Sequence, residues 1–383
     1  MSTDIVPFRI EIPQADLDDL RGRLDKARLP APLAGDGWDV GTPTWWIRDL
    51  VEYWRTDFDW RAIEAQWNKW PQFVTEIDGQ TVHFLHIRSA EPDARALVLT
   101  HGWPCTFVEF ADVIGPLTDP RAHGGTAEDA FDLVIPSLPG FGFSTPLAEG
   151  WDNYKTGRAW AELMRRLGYD RFGVHGGDAG AAVSPLVGAA APDRVTGMHV
   201  TTGPAPVLFS PPPADEYAEL TASEQDRLDR FFRENPGTPG YLAVQASRPQ
   251  TLAYGLVDSP VGQLAWIMDR FWEWTRPKEA LPEQVIDKDV LLTNVMLYWL
   301  TGTAGTSAYA TYVRGGGWGP EPSSGVPTGV LLTPIDWAIR RYSAPSHNIT
   351  RWTELDHGGH FAALEIPGEL VADLREFFRD KRS

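Results

Sequence analysis

Short apolar runs separated by helical stretches set the pattern over residues 91–203. The runs are Ala96-Leu97-Val98-Leu99-Thr100, Phe131-Asp132-Leu133-Val134-Ile135 and Phe172-Gly173-Val174. Apolar runs of this length, bounded by glycine and proline, predict strands buried on both faces. Their alternation with helical stretches predicts a mostly parallel central sheet flanked by helices. Upstream, residues 16–28 place Leu17, Leu20 and Leu24 on one side of an amphipathic helix. The same N-terminal stretch carries Trp38, Trp45, Trp46, Trp54, Trp60, Trp67 and Trp70, too many large aromatics for a solvated tail. Downstream, Pro204, Pro206 and Pro211-Pro212-Pro213 introduce a segment of helical pattern, after which Val330-Leu331-Leu332 reads as a strand again. A returning strand argues for an insertion into one core rather than an independent domain. The chain therefore divides into 1–90, an N-terminal segment packed on the core; 91–203, the first part of the core; 204–324, a helical lid; and 325–383, the second part of the core. No internal repeat or low-complexity domain is present.

Composition narrows the classes of function. The chain has 383 residues, enough for one core with substantial insertions. A net charge of −18 argues against nucleic acid and anionic membrane surfaces as partners. Cys105 is the single cysteine, which excludes an intramolecular disulfide framework and fits a reducing cytoplasm. No basic, then apolar, leader opens the chain, and residues 291–300 are too short and too polar to span a bilayer. These features predict a soluble protein.

The candidate chemistry begins at Gly176-Gly177-Asp178-Ala179-Gly180, which follows the strand-like Phe172-Gly173-Val174 and precedes a small-residue helical segment. Strand, sharp turn and helix make the setting of a nucleophile elbow, in which flanking glycines permit a strained turn that lifts one side chain above the sheet. Here that side chain is a carboxylate, which attacks an activated carbon and is left as an ester. The plain alternative is a helix cap. His101-Gly102-Trp103-Pro104 follows another strand, where such a fold finds one oxyanion N–H; Trp103 and Ala179 are the candidate backbone donors. A rigid Pro/Gly loop spans residues 136–144, and Asp356-His357-Gly358-Gly359-His360-Phe361 supplies histidines near the C-terminus.

Together these segments resemble the epoxide hydrolases of the α/β-hydrolase superfamily, in the branch related to the microsomal enzyme. The likeness extends to Ile12-Pro13, Trp54-Arg55 and Asp59-Trp60-Arg61 near the start, and to Asp258-Ser259-Pro260-Val261-Gly262 and Leu292-Thr293-Asn294-Val295-Met296-Leu297-Tyr298-Trp299 in the lid. It implies an α/β-hydrolase fold with a helical lid and an N-terminal helical extension. It also implies no cofactor and no metal, and the addition of water to an epoxide to give a vicinal diol. The membrane anchor of the microsomal relatives is not expected here. Partners are then a small-molecule epoxide and water, with room for a homodimer.

The resemblance distributes roles as follows. Asp178 attacks the epoxide carbon and His360, the final histidine of Gly-Gly-His-Phe, activates water to cleave the ester. His357 is the competing base. Asp336, two positions after Pro334, orients the histidine and preserves the order nucleophile, acid, histidine; Glu354 and Asp356 are alternatives. Two lid tyrosines are expected to protonate the departing oxygen. Tyr241 matches the first. The second position falls on Thr311, so Tyr312 is carried in its place, with Tyr309 as the alternative and Tyr241 acting alone if neither reaches. The family pattern has tryptophan where Ala179 stands, which leaves room beside Asp178 for a bulkier epoxide; the resemblance to bacterial enzymes of natural-product assembly implies a natural-product epoxide as one candidate, and the lid aromatics an aromatic or extended apolar one. The lid aromatics Phe231, Phe232, Trp266, Phe271, Trp272 and Trp274 serve either that pocket or the lid's own core. Two rivals remain. One is a haloalkane or haloacid dehalogenase with the same nucleophile, disfavoured because Ala179 offers a halide no side-chain donor. The other is an inactive α/β-hydrolase that serves as a binding protein, disfavoured because every triad position is filled.

Overall fold

Among the described residues nine strands, numbered β1 to β9 in chain order, form one sheet in the order β1-β2-β3-β5-β4-β6-β7-β8-β9. The computed structural model describes residues 4–35, 37–202, 211–234, 239–313 and 323–381; Pro204 and Pro206, read above as the start of the insertion, lie outside them. The first three strands are β1 (Val6–Phe8), β2 (Gln72–Ile77) and β3 (Gln80–Ile87), all antiparallel to their neighbours. β2 and β3 are joined by Asp78-Gly79, both at positive φ, the turn chemistry that a two-residue hairpin requires. From there the pairing is parallel through β4 (Arg95–Thr100), β5 (Phe131–Pro136), β6 (Phe172–Gly177), β7 (Val195–Thr201), β8 (Pro327–Leu332) and β9 (Asn348–Glu354). β4 and β6 are buried almost throughout, as a strand covered on both faces must be. This is the α/β-hydrolase fold.

Helices cover both faces of the sheet. The helix Pro367–Phe378 lays Phe377 and Phe378 on it, against Gly329 and Gly173 respectively. In the N-terminal segment a helix runs over Gln14–Asp25 and buries Leu20 and Leu24. Trp46, Trp54, Trp60 and Trp67 are buried, while Trp45 stays exposed. Several tryptophans reach other parts of the chain. The Trp54 indole N–H meets Met296 Sδ at 3.2 Å, and that of Trp46 donates to Glu283 at 2.8 Å. Trp38 stacks on Trp272 at 3.9 Å, with the planes within 4°.

Between β7 and β8 the described chain is helical. Its elements include Gly240–Ser247, Pro249–Asp258, Pro260–Trp274, Lys288–Thr301 and Ala304–Val313. No helix among the described residues is long and apolar enough to cross a membrane.

Candidate active site

At the end of β6 the chain turns sharply on Asp178, which adopts φ 49° and caps the helix Ala179–Ala190. A positive φ in a non-glycine residue is strained and needs a frame that enforces it. The frame comes from close backbone approach. A Cβ at Gly180 would lie 2.0 Å from the Thr100 carbonyl oxygen, and one at Gly102 would lie 2.3 Å from the Asp178 Cβ. Only glycine fits at either position.

Asp178 Oδ1 accepts hydrogen bonds from the backbone N–H groups of Trp103 (3.0 Å) and Ala179 (2.7 Å). Its other oxygen, Oδ2, lies 3.4 Å from His360 Nε2. Burial works against the charged carboxylate. The His360 imidazole and the two N–H donors outweigh it and hold Asp178 below the ordinary carboxylate range. The helix-cap alternative is thus partly realised, but the carboxylate also faces a loop and a histidine far away in sequence.

His360 is fastened by its backbone N–H to the Trp274 carbonyl (2.9 Å), and its ring lies 4.8 Å from the Trp274 ring. Burial disfavours its cation, yet Asp178, Asp336 and Glu109 together raise its pKa. Asp336 is buried in the turn after β8, where Oδ2 accepts the Thr333 N–H at 2.9 Å. The Thr333 hydroxyl donates to the Gly359 carbonyl (3.0 Å), so one residue ties the Asp336 turn to the histidine loop. The alternative acids lie elsewhere. Glu354 is exposed and bound by Arg227 (2.7 Å) and Trp352 (2.7 Å), and Asp356 is fully exposed. His357 bridges Asp356 and Glu369 on the surface.

Tyr241, on the helix Gly240–Ser247, lies parallel to Trp103 at 5.3 Å and edge-on to Trp274 at 5.4 Å. Burial raises its phenol pKa, the Asp178 charge adds to this, and Arg270 opposes it. The second tyrosine is different. On the helix Ala304–Val313 it is Thr311 that faces inward, donating to Gln245 Oε1 at 3.2 Å. Successive helical residues are turned about 100° apart, so Tyr312 and Tyr309 face solvent, 47% and 40% exposed, and stack on each other. The expectation that Tyr312 stands beside Tyr241 is therefore corrected, and Tyr309 does not replace it.

One acidic residue escaped the sequence reading. Glu109 sits in the turn Phe107–Phe110, buried and within electrostatic reach of Asp178 and His360. Burial raises its pKa to about 7; His360 lowers it, and the Asp178 charge raises it further. Its signal was present as a lone charge inside Phe107-Val108-Glu109-Phe110. Neighbouring Cys105 is buried and its thiol pKa is pushed up, which disfavours the thiolate. His101 is held neutral by burial, with a pKa of about 4, and its Nε2 accepts the Leu138 N–H (3.1 Å), tying the Trp103 loop to the Pro/Gly loop.

Of the lid aromatics, Trp274 reaches His360 and Tyr241. Phe271 packs on Phe361 in the core, Trp272 stacks on Trp38, and Phe231 meets Phe232 and Trp337.

Fold and turn thus define an α/β-hydrolase with an aspartate in the sharp turn after β6. The α/β-hydrolase family model matches residues 95–251, and the model of the epoxide hydrolase N terminus matches residues 5–110. A protein of Stigmatella aurantiaca (strain DW4/3-1), designated a candidate epoxide hydrolase, is 42% identical over 99% of this chain and 86% of its own length. Epoxide hydrolase 1 of Sus scrofa is 32% identical over 97% of this chain and 88% of its own. The Aspergillus niger epoxide hydrolase structure superposes with a TM-score of 0.84 at 29% identity, covering 99% of this chain and 97% of that one. The chain belongs to the epoxide hydrolase family.

Proposed function

We propose that this enzyme converts an epoxide and water to a vicinal diol through an ester on Asp178, with His360 as base, Asp336 as its acidic partner and Tyr241 as the acid of ring opening. Asp178 Oδ2 forms the bond to carbon while the carbon–oxygen bond of the epoxide breaks. The electron pair goes to the epoxide oxygen, which takes the Tyr241 proton. His360 then removes a proton from water, and the hydroxide adds to the ester carbonyl. The oxyanion develops on Oδ1, the atom that already accepts the Trp103 and Ala179 N–H groups. Collapse of the adduct releases the diol and regenerates the Asp178 carboxylate, and the proton held by His360 returns to Tyr241. Asp336 stabilises the imidazolium during this half-reaction.

The observation that carries this reading is the division of labour within one carboxylate. Oδ1 is held by two N–H donors, whereas Oδ2 faces the base. Trp103, Tyr241 and Trp274 give the site flat apolar walls, and Ala179 adds no bulk beside Asp178. They favour an epoxide borne on an aromatic or extended apolar group, natural-product epoxides included. The lone, buried cysteine agrees with work in a reducing cytoplasm.

His360→Gln tests the sequence of steps. Mixed with styrene oxide, this variant should form the ester and fail to cleave it. Mass spectrometry should then find the added mass on the peptide that contains Asp178. Label elsewhere, or diol formation at the wild-type rate, would remove Asp178 and His360 from these roles.

A further inference from the structure

Ring opening as proposed moves one negative charge across the site. It starts on the Asp178 carboxylate, passes to the epoxide oxygen, and ends on Tyr241 once the phenol has given up its proton. Something must receive that charge in a setting where burial disfavours it. The Asp178 carboxylate and the Arg270 guanidinium both act on the Tyr241 phenol, the first raising its pKa and the second lowering it. Asp178 becomes a neutral ester in this step, and Arg270 remains.

The Arg270 guanidinium lies over the Tyr241 ring, 4.9 Å from its centroid, and 5.6 Å from the centroid of Trp274. It is largely buried and is oriented by Asp269, whose Oδ2 accepts from both Nε (3.2 Å) and Nη2 (2.5 Å). Asp269 Oδ1 in turn accepts from the Thr42 hydroxyl at 3.4 Å, a hydroxyl also placed 3.3 Å from the Ala265 carbonyl. The N-terminal segment thus grips the helix Pro260–Trp274 twice, at Asp269 through Thr42 and at Trp272 through Trp38. Arg270 and Trp274 lie on that same stretch.

We infer that Arg270 is a positioning residue for ring opening: it holds the Tyr241 ring in place and stabilises the phenolate left when the Tyr241 proton passes to the epoxide oxygen. The inference rests on Tyr241 being the acid. It gives the N-terminal segment a part in the reaction, since Thr42 and Trp38 fix the helix that carries the cation. Ester hydrolysis makes no such demand, because its negative charge develops at Oδ1.

Single-turnover kinetics with styrene oxide on the full-length enzyme separates the outcomes. Arg270→Gln should slow alkylation of Asp178 by about three- to thirtyfold, the range of a partly desolvated cation over an aromatic ring, and leave ester hydrolysis within about twofold of wild type. Arg270→Lys, which keeps the charge and loses the planar stack, should recover part of that loss. In a Tyr241→Phe background Arg270→Gln should have no further effect on alkylation, because no phenolate forms there. Wild-type alkylation in Arg270→Gln would overturn the inference while leaving the mechanism standing. So would an equal loss in both half-reactions, or an undiminished effect in the Tyr241→Phe background. If Tyr241→Phe itself alkylates at the wild-type rate, the acid has been misassigned and the role of Arg270 falls with it.

Discussion

Asp178, partly buried, and Glu109, buried, are carboxyl groups of one site whose pKa values move in opposite directions. Asp178 is held ionised because two N–H donors and His360 outweigh its burial. Burial is the largest influence on Glu109 and the Asp178 charge adds to it; together they outweigh His360, the Gly102 N–H and the Cys105 thiol, so its value rises from 4.5 to about 7. The folded protein therefore keeps a proton on Glu109 that the unfolded chain has already released between those two values. On this account stability falls as pH rises from about 4.5 to about 7. Glu109→Gln carries no charge at any pH and escapes that penalty. Its melting temperature should match wild type near pH 4.5 and exceed it increasingly up to pH 8, a gap on the order of 3 kcal/mol once Glu109 is fully ionised. A constant gap across that range would show that Glu109 is not the titrating group.

At the scale of elements, the register of one lid helix determines which residues enter the site. The helix Ala304–Val313 turns Thr311 toward Gln245 and leaves Tyr309 and Tyr312 on the exposed face. Tyr312→Phe and Tyr309→Phe should thus alkylate Asp178 at the wild-type rate. Tyr241→Phe should raise the ring-opening barrier by about 2–4 kcal/mol, as the loss of a donor to a developing oxyanion does. Rapid-quench measurement of the alkylated enzyme decides this. Slow alkylation in Tyr312→Phe would mean that the helix rotates when substrate binds. Counting from Thr301-Gly302-Thr303 puts Thr311 at the second position, and a phenol one residue further along lies about 100° away on a helix.

Across the whole molecule, the N-terminal segment is bound to core and lid by its tryptophans. Trp54 is buried and meets Met296 in the lid helix Lys288–Thr301, whereas Trp45 is 41% exposed. Trp54→Ala should destabilise the protein by about 3–5 kcal/mol, the cost of removing a buried indole, and Trp45→Ala should stay within about 0.5 kcal/mol of wild type. Thermal unfolding of the two variants provides the comparison. Equal effects would mean that the segment is held by something other than these buried rings.

Much of this protein was legible along the chain because its chemistry is local. Apolar runs with glycine and proline at their ends are visible as strands, and the glycines around Asp178 announce a strained turn whatever surrounds it. A mostly parallel sheet flanked by helices followed from that order of elements, and the resemblance to the epoxide hydrolases implied the α/β-hydrolase class. The Asp78-Gly79 hairpin was equally local and could have been read. What the sequence could not determine depends on groups brought together from distant positions. Glu109 is an ordinary charged residue until burial within electrostatic reach of Asp178 and His360 changes its proton affinity. Asp336 and Glu354 were rivals on sequence order alone. Burial beside the histidine loop separates Asp336 from Glu354, which is exposed and occupied by Arg227. Arg270 carries no motif, and its place over the Tyr241 ring joins residues of two different helices, Pro260–Trp274 and Gly240–Ser247. Local backbone preference is a property of neighbouring residues, whereas desolvation and charge depend on everything within a few ångströms, and only the tertiary structure sets those neighbours.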